Sequence, residues 1–106
     1  MKIRFMRVIV FYDLPTLNES DIKIYSQFRK QLLREGFVMM QQSVYSKLTM
    51  NQTHTDYVKK RVYDIASSKG LVQIMAISEN QYQAIEFITG EKQTTTVDSR
   101  EGLIIL

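Results

Sequence analysis

Asp13 closes the apolar run Val8-Ile9-Val10-Phe11-Tyr12 and is followed at once by Leu14-Pro15. A carboxylate placed where an apolar strand surfaces is costly unless something pairs with it. Asp13 is therefore the first residue with a claim to chemistry. As a metal ligand it would suit Mg²⁺, which takes oxygen donors in octahedral geometry and keeps several waters beside one or two carboxylates. No second acid stands near it in sequence, because Glu19 and Asp21 read as the acids of a helix first turn. Two copies of the strand meeting across a two-fold axis would bring two Asp13 carboxylates to one cation. The competing role is structural: an aspartate at a strand end caps the following loop by accepting from backbone amides. Taken alone, the residues leave both roles open.

The second candidate group is cationic. Lys23, Lys30 and Arg34, with Gln27 among them, fall on one face of a helical pattern and could track phosphates. The bland alternative is a solvated face. Lys59, Lys60 and Arg61 form a second cluster with the same two readings, and Lys2, Arg4 and Arg7 read as a solvated strand start. Ser43 has no neighbouring base and reads as a hydroxyl satisfying strand backbone, not as a nucleophile. His54 reads as a solvent-exposed residue of a helix first turn. The six methionines, with Met39 and Met40 adjacent, read as core and interface filling.

Composition removes several other classes. With no cysteine there is no disulfide framework, zinc-thiolate site or cysteine nucleophile, and a single histidine counts against a His-rich metal site or a Ser-His-Asp triad. The formal charge of +3 and pI near 9.2 lean toward an acidic partner such as nucleic acid. The opening Met1 to Met6 lacks the apolar stretch of a signal peptide. No run approaches the roughly 20 apolar residues of a spanning helix. The expectation is a soluble, cytoplasmic protein of one domain.

The elements that must position these residues follow from periodicity. Arg4 to Asp13 is a strand with apolar residues on both faces, ended by Pro15. Asn18-Glu19-Ser20-Asp21 starts a helix that runs to about Glu35, with Ile22, Tyr25, Phe28 and Leu32 as its buried stripe and Gly36 as its stop. Phe37 to Leu48 is extended and long for one strand, so a break near Gln41-Gln42 is expected. Thr53 and Asp56 resemble a capping box for a second helix reaching Lys69, with Val58, Val62, Ile65 and Ala66 inward and Gly70 as its stop. Leu71 to Ile77 reads as a strand, and Gln81 to Thr89 as another that pairs with it in a hairpin.

With the break, the order becomes a βαββαβ core. This is an α+β, ferredoxin-like sandwich with both helices on one face of one sheet and an extra short strand at the C-terminus. Residues 1–90 form that domain. Residues 91–106 are a polar linker followed by Gly102-Leu103-Ile104-Ile105-Leu106, an apolar terminus expected to form a strand paired with a partner subunit. A one-sided sheet leaves one face of the first strand without a cover, and a second subunit with its sheet facing the first would supply it. An RNA-recognition module is disfavoured, because Leu71 to Ile77 carries none of the aromatics on which that family stacks bases.

Together, Tyr12-Asp13-Leu14-Pro15, Phe28-Arg29-Lys30, Gly36-Phe37 and Gln41-Gln42-Ser43-Val44-Tyr45-Ser46-Lys47-Leu48 resemble the CRISPR-associated "Cas-two" family, most closely its branch found in type II systems. The likeness spans nearly the whole chain, although Tyr45 stands where many relatives have Phe. The resemblance implies a homodimer with facing sheets and C-terminal strands that cross to the other subunit. It implies spacer acquisition, in which the protein bridges two dimers of the CRISPR integrase and holds the duplex DNA to be inserted. It also implies, for some members, a Mg²⁺-dependent endonuclease acting on RNA or DNA, and that catalytic and metal-binding role carries over to Asp13 alone. Two-metal hydrolysis gathers several acids around ions about 4 Å apart. One candidate acid per subunit therefore favours the DNA-holding role over an enzyme. The choice of Lys23, Lys30 and Arg34 as nucleic-acid contacts rests on helix geometry, not on the resemblance. Two alternatives are kept: a metal-dependent endonuclease as the main activity, and a ferredoxin-like dimer that binds a regulatory small molecule.

Overall fold

Alternation along the first strand decides the architecture. The computed structural model describes residues 3–66 and 68–91. In it β1 (Met6–Asp13) is a central strand. Val8, Val10 and Tyr12 point to one face and are buried, joining Phe28, Leu32, Phe37, Tyr45, Val58 and Val62 in one core cluster. The chain continues through α1 (Glu19–Arg34), β2 (Val38–Gln41), β3 (Val44–Thr49), α2 (Gln52–Ile65), β4 (Leu71–Ser78) and a short α3 (Glu79–Gln83). The sheet order is β2-β3-β1-β4 and every neighbouring pair is antiparallel. β1 and β2 therefore run in one direction and β3 and β4 in the other, with α1 and α2 as the two crossovers. This is the expected ferredoxin-like α+β fold.

The break near Gln41-Gln42 is real: β2 and β3 form a hairpin in which Ser43 takes the left-handed conformation (φ 66°). Its hydroxyl shares a 3.0 Å hydrogen bond with the phenol of Tyr25, a side chain and not the expected backbone, and its carbonyl accepts from Tyr12 N at 3.1 Å. The turn is thereby tied to α1 and to the end of β1.

Four expectations need correction. First, α2 stops at Ile65, because Ala66 is already extended, and Gly70 belongs to the turn before β4. The N-cap of α2 is Asn51, whose side chain accepts from His54 N at 2.8 Å, so Thr53 lies inside the first turn. His54 is half-buried, and its Nδ1 accepts from Met50 N at 3.2 Å. Second, Ile22 is not in the buried stripe; it is 52% exposed. The neighbouring Asp21 is buried instead, accepting from Leu17 N and lying 3.7 Å from Lys69 Nζ. Third, residues 81–89 form no hairpin with β4. Ser78 and Gln81 make a reciprocal capping box and open α3. Fourth, Arg7 is not a solvated strand end, as described below. The strand expected at the C-terminus falls outside the described residues.

Candidate functional site

β1 distributes its side chains between two surfaces, and the candidate residues divide with them. The register pairs Asp13 with Leu71, Phe11 with Gln73 and Val44, Ile9 with Met75 and Ser46, and Arg7 with Ile77 and Leu48. These residues form the face turned away from α1 and α2. Asp13 is exposed at one end of this open face, with Leu71 and Gln73 exposed beside it. Gly70 fixes how closely the next strand approaches: it has φ +76°, and a Cβ there would lie 2.6 Å from the Asp13 carbonyl oxygen.

At the other end of the open face, Arg7 anchors α3. Its guanidinium forks onto the Glu79 carboxylate, with Nε to Oε1 at 2.9 Å and Nη2 to Oε2 at 2.7 Å, and lies 4.0 Å above the Tyr82 ring. Glu79 N also donates to Phe5 O at 3.1 Å. Part of the missing cover over β1 is thus intramolecular. Ile9 is only 8% exposed, and the opposing Ser46 is fully buried, on the face that α1 and α2 leave bare.

Within one chain, Asp13 does not complete a Mg²⁺ site. No group of three or more His, Cys, Asp or Glu side chains is placed to hold a metal among the described residues. Tyr12, next to Asp13 in sequence, points into the core. Burial pushes its phenol well above the ordinary tyrosine range, and the phenols of Tyr45 and Tyr25 push in the same direction. It therefore stays protonated at neutral pH and cannot serve as a base.

Lys23, Lys30 and Arg34 are exposed on α1. The helix buries Asp21, Phe28 and Leu32. At 100° per residue the three cations lie on the opposite side of the helix, pointing directly away from the sheet. None takes part in an ion pair among the described residues. In the second basic cluster, Arg61 is engaged at the C-terminal end of α1, where its Nη2 lies 2.5 Å from Glu35 Oε2. Lys47 Nζ donates to the Glu35 carbonyl. The hydrogen bond from Arg61 holds the Glu35 carboxyl below its usual range despite some opposing desolvation. Asp13 and the basic row are thus separated by the full thickness of the sheet and helix layer.

Fold and site together define a small ferredoxin-like α+β protein with one exposed strand-end carboxylate on its open face and a cationic helix layer behind it. The family model described as "CRISPR associated protein Cas2" matches residues 6–85. The chain is 43% identical over 101 residues to the CRISPR-associated endoribonuclease Cas2 of Treponema denticola, covering 95% of this chain and 100% of that protein. The proteins of the same name from Ligilactobacillus salivarius and Streptococcus mutans serotype c are 38% and 36% identical over 101 residues, covering 95% of this chain and 100% and 93% of those proteins. The chain belongs to the Cas2 family. No helix among the described residues is long and apolar enough to cross a membrane.

Proposed function

We propose that this chain is the small dimeric subunit of CRISPR spacer acquisition, bridging integrase dimers and holding duplex DNA on the cationic face of α1. The observation that carries this reading is the separation of the two candidate groups. A nucleic acid lying along Lys23, Lys30 and Arg34 is turned away from the Asp13 of the same chain. Spread, outward cations suit sequence-independent contact with phosphates.

The open face supplies the dimer contact in this reading. α3 occupies its Arg7 end, so a facing sheet seats at the other end, roughly 20 Å further along β1. There Asp13, Leu71 and Gln73 are exposed. A two-fold contact at that end sets two Asp13 carboxylates side by side, the smallest donor set that suits Mg²⁺ with its remaining waters. The relatives carry the name endoribonuclease, which supports a second reading with cleavage as the main activity; in that reading this Asp13 pair is our candidate for a metal-binding site.

Spacer integration with the purified integrase, run beside a Mg²⁺-dependent cleavage assay, separates the two. Asp13→Ala is expected to keep integration and to lose any cleavage, with folding stability within about 0.5 kcal/mol of wild type. Replacing Lys23, Lys30 and Arg34 together by Ala is expected to abolish integration. Loss of integration in a folded, dimeric Asp13→Ala protein would overturn the scaffold reading and leave the nuclease.

A further inference from the structure

The run Gln41-Gln42-Ser43 has no part in either proposed activity, yet the fold sets it beside Asp13. The β1–β3 ladder pairs Phe11 with Val44, and Tyr12 N, donating to Ser43 O at 3.1 Å, carries it one position further. The same antiparallel register leads from Tyr12 and Ser43 to Asp13 and Gln42. The turn is therefore the neighbour of Asp13 on its β3 side, as Leu71 is on its β4 side. Gln42 and Ser43 form the whole loop between the paired Gln41 and Val44. Ser43 takes the left-handed position (φ 66°) that such a turn usually gives to glycine or asparagine, so a serine there is strained. Its hydroxyl bond to the Tyr25 phenol on α1 holds it in place. The turn is fixed from inside, while Gln41 and Gln42 are exposed and neither carboxamide has a hydrogen-bond partner among the described residues.

Asp13 is equally free. It enters no ion pair among the described residues, in contrast to Asp21, which accepts from Leu17 N and lies 3.7 Å from Lys69 Nζ. This end of the sheet thus presents one free carboxylate and two free carboxamides, with no cation paired to the carboxylate. A lysine in the turn would pair with Asp13 and compete with a metal ion for its oxygens. A carboxamide leaves the carboxylate free, and its N–H groups still donate to a phosphate oxygen. We propose that Gln42, with Gln41 beside it, binds a phosphodiester of a nucleic-acid strand brought to Asp13. The contact contributes direction and not charge, and it carries no sequence preference. The inference rests on the reading of Asp13 as a centre of cleavage and names the residue that orients the strand there.

The test measures binding of short fluorescein-labelled oligo-U and oligo-A ribonucleotides by anisotropy, with Ca²⁺ in place of Mg²⁺ so that the strands stay intact. Every protein in the series carries Ala at Lys23, Lys30 and Arg34, which removes contacts made by α1. Gln42→Ala is expected to bind about tenfold more weakly than its parent, by the same factor on both strands. Gln42→Asn keeps a carboxamide and is expected to recover part of that affinity. In cleavage by the otherwise wild-type chain, Gln42→Ala should raise KM and leave kcat nearly unchanged. Gln42 is exposed in a turn, so circular dichroism should show unchanged folding. Unchanged affinity in Gln42→Ala, a loss on one strand only, or a parent that binds neither strand overturns the inference. The reading of Asp13 fails separately. If Gln42→Ala loses affinity while the wild-type chain shows no Asp13-dependent cleavage, the phosphate contact stands and the cleavage reading falls. If cleavage depends on Asp13 while Gln42→Ala binds as its parent does, only the Gln42 contact is wrong.

Discussion

The two faces of β1 are built from alternate residues of one strand, yet they do different work. Val8, Val10 and Tyr12 face α1 and α2 and are closed in by aromatic packing, with the Tyr12 and Phe28 rings at 4.9 Å and 76°. Arg7, Ile9, Phe11 and Asp13 face the other way, where α3 covers one end and leaves the other open. The helix-side residues hold the fold together through apolar contact. The open-side residues are held by one polar clamp and carry the exposed carboxylate. A strand of period two lets stability and function be assigned to adjacent positions with little compromise between them.

Three substitutions sharpen this contrast. The largest effect is expected from Phe28→Ala, which removes a fully buried ring from the helix side. Urea unfolding should show a loss of about 3–5 kcal/mol. Arg7→Ala on the open side should cost less, about 1–2 kcal/mol, and the cost should be local. Amide exchange should rise across Glu79–Gln83 while the helix-side core stays protected. Arg7→Lys should recover only part of that protection, because an ammonium lacks the planar fork that engages Glu79. Uniform loss of protection would break the proposed division between the faces.

The smallest effect concerns acid. The Glu35 carboxyl is held low by Arg61, so the unfolded chain takes up this proton at a higher pH than the folded one. The pair's contribution is present above the unfolded carboxyl value and is lost as pH falls through the lowered folded one. Glu35→Gln should therefore flatten the acid limb of stability measured below about pH 4.5 and leave the open face unaffected. The pair lies at the surface and is only half-buried, so solvent screening should keep the change slight.

Much of this architecture was legible in the sequence because it rests on local pattern. The apolar run before Asp13, the start of α1 at Asn18, the break at Gln41-Gln42 and the outward position of Lys23, Lys30 and Arg34 all follow from periodicity and capping. α3 was misread because residues 81–89 contain alternating apolar residues. The spacing of Ser78 and Gln81 was the available signal, since a Ser-x-x-Gln box opens a helix. Asn51 was likewise available as the cap of α2. The role of Arg7 was not legible. Its partner Glu79 is 72 positions away, and no local rule links a basic residue at a strand start to an acid at that distance. Ile22 fits the spacing of the apolar stripe but sits at its margin, where the local bonding of Asp21 takes the buried position.

The central place of β1 has a consequence for how the protein is made. Its neighbours β3 and β4 are synthesised after it, and its first residues pair with Thr49 on one side and Ser78 on the other. Until the ribosome has delivered Ser78, β1 has an unpaired edge as well as apolar side chains on both faces, which is a template for pairing with another nascent chain. Closure by β4 removes the edge, and α3 follows immediately to clamp it through Arg7. β4 is therefore the seal on the sheet and the five residues after Ser78 are its latch, and a message truncated before Leu71 would yield a sticky, aggregation-prone product rather than a smaller version of the fold.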